Sequence, residues 1–225
     1  MKRITVLLAE DHTFVREAVR KLLELEDDFK VVGEAQDGRQ AVALAQKLHP
    51  NVVLMDIAMP LLNGLEATRH VLKASPGTKV LILSAHGDDA YVKSAAEAGA
   101  AGYLLKQTSA DEVCQAIREA QNGKKVFNSS VAGHLHRPRI QPFNQSGWLG
   151  KEKVQLTSRE MEVLQLIAEG KANKETAAEL SIGLKTVEKH REHIMQKLNI
   201  HDTAGLTRYA IAKGIIESSA PSNVV

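Results

Sequence analysis

Five side chains in the N-terminal half have the types and spacing for phosphorus chemistry: Glu10, Asp11, Asp56, Ser84 and Lys106. Each sits at the end of a short apolar run. Glu10 and Asp11 follow Ile4–Ala9, Asp56 and Ser84 end the runs Val52–Asp56 and Val80–Ser84, and Lys106 follows Gly102–Leu105. If those runs are parallel strands of an open sheet, their carboxyl ends form one rim, where such sheets gather their active groups. A lone Asp at a strand end is ordinarily a cap or turn residue, and a lone Lys there is ordinarily solvated. The argument therefore rests on four separate runs supplying the set. Three carboxylates brought together raise one another's pKa unless a cation lies among them. A hard divalent ion with oxygen ligands, Mg2+ first, resolves that conflict. Asp56 is then the central carboxylate and a nucleophile toward phosphorus. Mg2+, the Lys106 ammonium and the Ser84 hydroxyl would each meet one oxygen of a transferred phosphoryl group.

The elements that must position these groups can be read from periodicity. A further apolar run, Val31–Ala35, completes a set of five, and between the runs lie stretches of helical period such as Val15, Val19, Leu22, Leu23 and Ala41, Leu44, Ala45, Leu48. Strands apolar on both faces are covered on both faces. The expected fold is thus α/β, a doubly wound five-stranded parallel sheet, with a second, smaller all-α domain behind it. From Lys124 to Lys153 the rhythm breaks into Pro138, Pro142, Gly133, Gly147 and Gly150 among polar residues, a linker composition that also holds Trp148, the single tryptophan. The expected organisation is residues 1–123, a linker at 124–153, a helical domain at 154–217 and a flexible tail at 218–225.

Composition excludes several classes. With 44% apolar and 25% charged residues the chain is globular, and runs such as Val52–Met55 are too short to cross a bilayer. No secretory leader is read at the start, and Cys114, the one cysteine, permits no internal disulfide; both fit a cytoplasmic protein. The net charge of +2 divides without a basic block: residues 1–125 hold 16 basic and 17 acidic groups, and residues 151–225 hold 11 and 10. Any case for nucleic acid must rest on local placement.

Residues 4–122 resemble the receiver domain of two-component response regulators. The matching pieces are Leu8-Ala9-Glu10-Asp11-His12, Leu54-Met55-Asp56-Ile57-Ala58-Met59-Pro60 with Asn63-Gly64, Leu83-Ser84-Ala85 and Gly102-Tyr103-Leu104-Leu105-Lys106. The resemblance implies a flavodoxin-like fold and phosphate accepted on Asp56 from a sensor histidine kinase. It implies Mg2+ held by Glu10, Asp11, Asp56 and the backbone carbonyl of Ala58, and a switch in which Ser84 and Tyr103 move once Asp56 is phosphorylated. It departs at Gln107, where receivers often carry proline. A haloacid-dehalogenase-like phosphatase is disfavoured because its second Asp is replaced by Ala58. His86, two residues past Ser84, is expected to tune dephosphorylation.

After Leu156 every periodic stretch is helical. Thr157 and Glu160 form a capping-box pair, Gly170 ends that helix, Asn173 is expected to cap a short one, and a longer helix runs from Lys185 to Leu198 before a last one at Thr203–Lys213. Residues 156–216 resemble the LuxR-type (NarL/FixJ-type) DNA-binding domain, through Leu156-Thr157-Ser158-Arg159-Glu160, Asn173-Lys174-Glu175, Thr186-Val187-Glu188-Lys189-His190-Arg191 and Ile194-Met195-Gln196-Lys197-Leu198. Val187, His190, Ile194 and Leu198 form the buried stripe of the long helix, leaving Lys185, Glu188, Lys189 and Glu192 on the face a recognition helix turns to the major groove. Lys189 suits guanine, and Glu188 and Glu192 suit cytosine N4. Lys174, Thr186 and Arg191 are placed for phosphates. Leu206, Tyr209, Ala210 and Lys213 are the dimer surface that the resemblance implies, with completion of the core as the competing role for Leu206 and Tyr209.

The expected function is a phosphorylation-dependent, DNA-binding transcriptional regulator rather than an enzyme, with double-stranded promoter DNA, a sensor histidine kinase and RNA polymerase as partners, Mg2+ as cofactor, no membrane, and a homodimer when phosphorylated. The competing reading is a phosphate-exchanging adaptor that signals through protein contacts.

Overall fold

Strand parity explains how the N-terminal unit is layered. In the computed structural model, which describes residues 3–127 and 156–216, Leu7, Ala9, Val53 and Met55 point into one apolar layer and Val6, Leu8, Val52 and Leu54 into the other. Both faces of these central strands are therefore buried, as a parallel sheet requires. The strands are β1 (Ile4–Ala9), β2 (Phe29–Ala35), β3 (Val52–Met55), β4 (Lys79–Ser84), β5 (Gly102–Leu105) and β6 (Val126–Phe127), in the order β2-β1-β3-β4-β5-β6, with every pairing parallel. Helices α1 (Thr13–Glu24) and α5 (Ala110–Gln121) cover one face; α2 (Gly38–Leu48), α3 (Gly64–Ala74) and α4 (Asp89–Ala98) cover the other. The strand order reverses between β1 and β3, so the crevice at their carboxyl ends is the ligand position of this fold.

The sheet has six strands, not the five expected. Val126 and Phe127 pair with Gly102 and Tyr103, inside the segment read as linker, because two residues are too few to show a period. Trp148, the rest of the linker and the tail lie outside the described residues.

The second unit packs α6 (Ser158–Ala168), α7 (Asn173–Glu179), α8 (Leu184–Leu198) and α9 (Thr203–Ala212) around Val163, Leu164, Leu166, Ile167, Val187, Ile194 and Leu206. Thr157 caps α6 in the expected capping box, and Gly170 follows it with φ +86°. Asn173 is the first residue of α7 rather than its cap; Ala172 takes the cap position, and Glu175 accepts from its N–H at 2.7 Å. Leu206 and Ala210 are fully buried in the helical core, which corrects their assignment to a dimer surface: of the four, Tyr209 is half-buried and Lys213 alone is exposed. No described helix is long and apolar enough to cross a membrane.

Candidate functional site

The crevice brings together the carboxylates that the sequence left far apart. Ala9 pairs with Met55, and the N–H of Asp56 donates to the carbonyl of Ala9 at 2.8 Å, setting Asp56 beside Glu10. Glu10, Asp11, His12 and Asp56 each offer a ligand atom, all within 4.8 Å of one another. Lys106 reaches in from the end of β5, with Nζ 2.8 Å from Glu10 Oε2 and 3.1 Å from Asp56 Oδ2. Asp56 Oδ1 accepts from the N–H of Ile57 at 2.8 Å. Burial and the charge of Glu10 push the Asp56 carboxyl up to about 6, against the pull of Lys106. Burial works against the Lys106 ammonium, but Asp56 and Glu10 outweigh it and hold its pKa above the ordinary value.

Three buried oxygens in this cluster are answered only through ion pairs: Glu10 Oε2 and Asp56 Oδ2 by Lys106 Nζ, and Asp11 Oδ1 by His12 Nδ1. Three carboxylates answered by one ammonium and one imidazole keep an excess of negative charge, and their clustered oxygens are a donor set for a hard cation. His12 was not singled out in the sequence. Its Nδ1 lies 2.9 Å from Asp11 and 3.1 Å from Glu10, and although burial opposes it, these two carboxylates raise its pKa. Arg16, also missed, is buried and donates to the Glu10 carbonyl at 2.8 Å and to Glu34 at 3.1 Å, bracing the β1–α1 turn from below. Its place on the apolar stripe of that helix, three residues before Val19 and seven before Leu23, is the sequence signal for it.

Ser84 ends β4 on the same rim, where its Oγ accepts from the N–H of His86 at 3.1 Å. Tyr103 lies buried on β5, and its hydroxyl donates to the His86 carbonyl at 2.5 Å. Burial pushes that phenol up to about 12. The His86 ring stacks on Tyr91, 5.2 Å between centroids. Ala58 sits two residues past Asp56 in the β3–α3 loop, partly buried. Gly64 closes that loop against Asp56: a Cβ there would lie 1.8 Å from the Asp56 carbonyl oxygen, so glycine is required by close approach.

In the second unit, α7 and α8 form the helix-turn-helix, joined by Ser181 in a left-handed conformation (φ +51°). Val187 and Ile194 are buried and His190 and Leu198 partly so, which places Lys185, Thr186, Glu188, Lys189 and Glu192 on the exposed face. Lys174 is exposed nearby, whereas Arg191 is held by Asn173 and Thr203.

The two units touch at a place that no local sequence pattern marks. Gln165 of α6, fully buried, donates to the Met59 carbonyl at 2.9 Å and accepts from the N–H of Asn63 at 2.7 Å. Glu169 accepts from the N–H of Leu61 at 3.1 Å; burial raises its pKa, partly offset by Gln165. Glu162 bridges His70 of α3 at 3.0 Å and Arg159 at 2.6 Å. Tyr91 of α4 packs over Gly214, where a Cβ would lie 1.4 Å from its hydroxyl. These contacts leave the outward face of α8 uncovered.

Comparison with known proteins agrees across both units. Residues 6–118 match the response regulator receiver domain, and residues 154–210 match the bacterial regulatory proteins of the luxR family. The chain is 41% identical over 207 residues to the transcriptional regulatory protein LiaR of Bacillus subtilis, spanning 92% of this chain and 96% of LiaR. It is 36% identical over 226 residues to DegU of Brevibacillus brevis, spanning 96% of each. Among solved structures it is similar to RcsB of Salmonella enterica serovar Typhimurium bound to promoter rprA with the phosphomimetic BeF3−, with a TM-score of 0.61 and 25% identity over 92% of this chain and 98% of that one. The chain belongs to the NarL/FixJ-type response regulators, a receiver domain followed by a LuxR-type helix-turn-helix domain.

Proposed function

We propose that this response regulator accepts a phosphoryl group on Asp56 from a sensor histidine kinase and, in that state, binds promoter DNA as a homodimer. The observation that carries the reading is the buried Asp56 carboxylate, whose Oδ2 lies 3.1 Å from Lys106 Nζ and beside the carboxylates of Glu10 and Asp11. Glu10, Asp11, Asp56 and the Ala58 carbonyl are the residues that would hold Mg2+. When bound, the ion offsets the negative charge of an arriving phosphoryl group and of the carboxylates around it.

The chain's own groups do the rest. Asp56 Oδ2 attacks phosphorus, an O–P bond forms, and the bond from phosphorus to the donor's histidine nitrogen breaks with its electron pair leaving on that nitrogen. The N–H of Ile57 holds Oδ1 and so orients the attacking oxygen. Lys106 Nζ turns from the carboxylate to a phosphoryl oxygen, and Ser84 Oγ gives up its bond with His86 to donate to another. Losing that bond releases the segment whose carbonyl holds Tyr103, which links the pocket to the outer surface of β4 and β5. Lys185, Glu188, Lys189 and Glu192 then read DNA, with Lys174, Thr186 and Arg191 at phosphates. The end of α9, with half-buried Tyr209 and exposed Lys213, is the pairing surface. RNA polymerase is a further partner, and the setting is cytoplasmic.

The test is to incubate the full chain with Mg2+ and acetyl phosphate beside Asp56→Asn, then measure intact mass and binding to a randomised DNA library across salt. A phosphoryl adduct absent from the variant, with tighter sequence-selective binding, is the expected result. An adduct with no salt-dependent DNA binding would replace this reading with a phosphate-exchanging adaptor, the reading that the mixed charge of the α8 face favours.

A further inference from the structure

The turn that opens α1 gives its capping position to a ring that does no capping. His12 is the N-cap residue of that helix, with extended backbone, and its side chain bonds none of the free amides of the first turn. A helix start favours Ser, Thr, Asp or Asn at that place, because their short side chains reach those amides. The imidazole turns back over the acidic rim instead. Its Nδ1 lies 2.9 Å from Asp11 Oδ1 and 3.1 Å from Glu10 Oε1, and the ring stays half exposed.

Those separations are also the ones a single ion imposes on its ligands. Atoms about 2.1 Å from an octahedral cation stand about 3 Å apart when adjacent and about 4.2 Å apart when opposite. One ligand atom from each of Glu10, Asp11, His12 and Asp56 falls within 4.8 Å of the other three. Charge agrees with an ion at that point. Three carboxylates share the one ammonium of Lys106, whose Nζ is 2.8 Å from Glu10 and 3.1 Å from Asp56. A dication completes the balance and leaves the imidazole to enter as a neutral donor. Access agrees as well. Glu10 and Asp56 are buried, whereas Asp11 and His12 reach solvent, so the open side of the cluster, where an ion must enter, is theirs.

Donor type then selects the ion. Mg2+ takes oxygen ligands, whereas imidazole nitrogen suits the first-row transition ions. We infer that His12 is a further side-chain ligand of the acidic pocket, through Nδ1, and that it gives the pocket an added preference for a first-row transition dication of the Mn2+ class over Mg2+. The inference rests on the reading of Glu10, Asp11 and Asp56 as the cation site of the phosphoacceptor, and adds a nitrogen to that oxygen set. With Mg2+ in place, His12 stays outside the ion's shell, paired with Asp11. Transition ions outbind Mg2+ at many oxygen sites too, so the order of affinities decides nothing by itself. The part of the preference that depends on His12 is what the inference claims.

The experiment titrates the metal-free, full-length chain with Mn2+ and, separately, with Mg2+ by calorimetry. The native chain is compared with His12→Ala and His12→Asn, and Asp56→Asn is the control for the site. Asn is a favoured cap, so His12→Asn keeps the start of α1 firm where Ala weakens it. Mn2+ binding should weaken about tenfold or more in both His12 variants, while Mg2+ binding keeps its native strength. Electron spin-echo spectra of Mn2+ on the native chain should carry nitrogen modulation from a bound imidazole, and both variants should lack it. A merely structural role for His12 would weaken the two ions alike and give no nitrogen signal. Equal losses for the two ions, no loss of Mn2+ binding, or a native chain without nitrogen modulation overturns the inference. Modulation that survives in His12→Asn does so too, since it assigns the imidazole to another histidine. Binding of both ions that is untouched by Asp56→Asn overturns the cation-site reading, and the inference with it.

Discussion

The acidic pocket and the α8 face both carry charge, and they carry it in opposite ways. In the pocket, Glu10 and Asp56 are buried, and Lys106 answers both at once, so each charge depends on the others. On α8, Lys185, Glu188 and Lys189 stand exposed and, among the described residues, enter no ion pair. A buried cluster behaves as one unit whose members cannot be changed singly without leaving an unpaired charge. An exposed face is a set of separate groups, each free to meet a separate phosphate or base. On the proposed reading, switched chemistry is concentrated in the coupled region and DNA recognition is spread over the uncoupled one.

The sharpest break of that contrast is Asp56→Asn. It should abolish the phosphoryl adduct altogether, read by intact mass, while leaving the binding of unphosphorylated chain to DNA unchanged; any loss of that basal binding would show that the two regions are coupled even at rest. Gly64→Ala should come next. The added methyl has the Asp56 carbonyl in its way, and overpacking of this kind costs about 1–3 kcal/mol or more. Calorimetry should show the receiver melting earlier. On the opposite side, Lys185→Ala and Lys189→Ala should each weaken DNA binding, Lys189→Ala by relaxing base preference at one position, and the double variant should show the sum. A double variant no worse than either single one would mean that the face is a coupled unit after all.

The smallest effect expected is a pH dependence at the seam between the domains. Glu162 raises the pKa of His70, with Glu66 adding to it, while burial and Lys73 oppose. Burial of Glu162 works against its charge, yet His70 and Arg159 outweigh it and lower its pKa. A histidine raised in the docked state stabilises docking fully below its ordinary value of about 6.5 and loses that contribution as pH rises through the higher docked value. Small-angle scattering should therefore show the chain opening slightly as pH rises above that range, and His70→Ala should flatten the response.

The pocket could be read from sequence because its members sit at strand ends, and strand ends are marked by apolar runs whose order the parallel fold fixes. The helical domain was legible for the same kind of reason, since Thr157, Glu160 and the Val187–Ile194 stripe obey local rules. The docking contact obeys none. Gln165 stands among Leu164, Leu166 and Ile167, a polar residue inside an apolar stretch, and nothing local says that its partner is a loop some hundred residues earlier. Leu206 and Ala210 have the spacing of a surface stripe and of a core stripe alike, and only the packing of α9 on α6 decides between them. Val126 and Phe127 form a strand because β5 offers an edge, which two residues cannot announce.

The helical domain meets the receiver on the side of α2, α3 and α4, whereas α1 lies on the other face of the sheet, with Phe14 84% exposed at its first turn, two residues from His12. One flank of the acidic rim is therefore open while the other is occupied. On the proposed reading, a donor protein would reach Asp56 from the open flank without displacing the helical domain, so delivery of the signal and release of the reader would be successive events rather than competing ones.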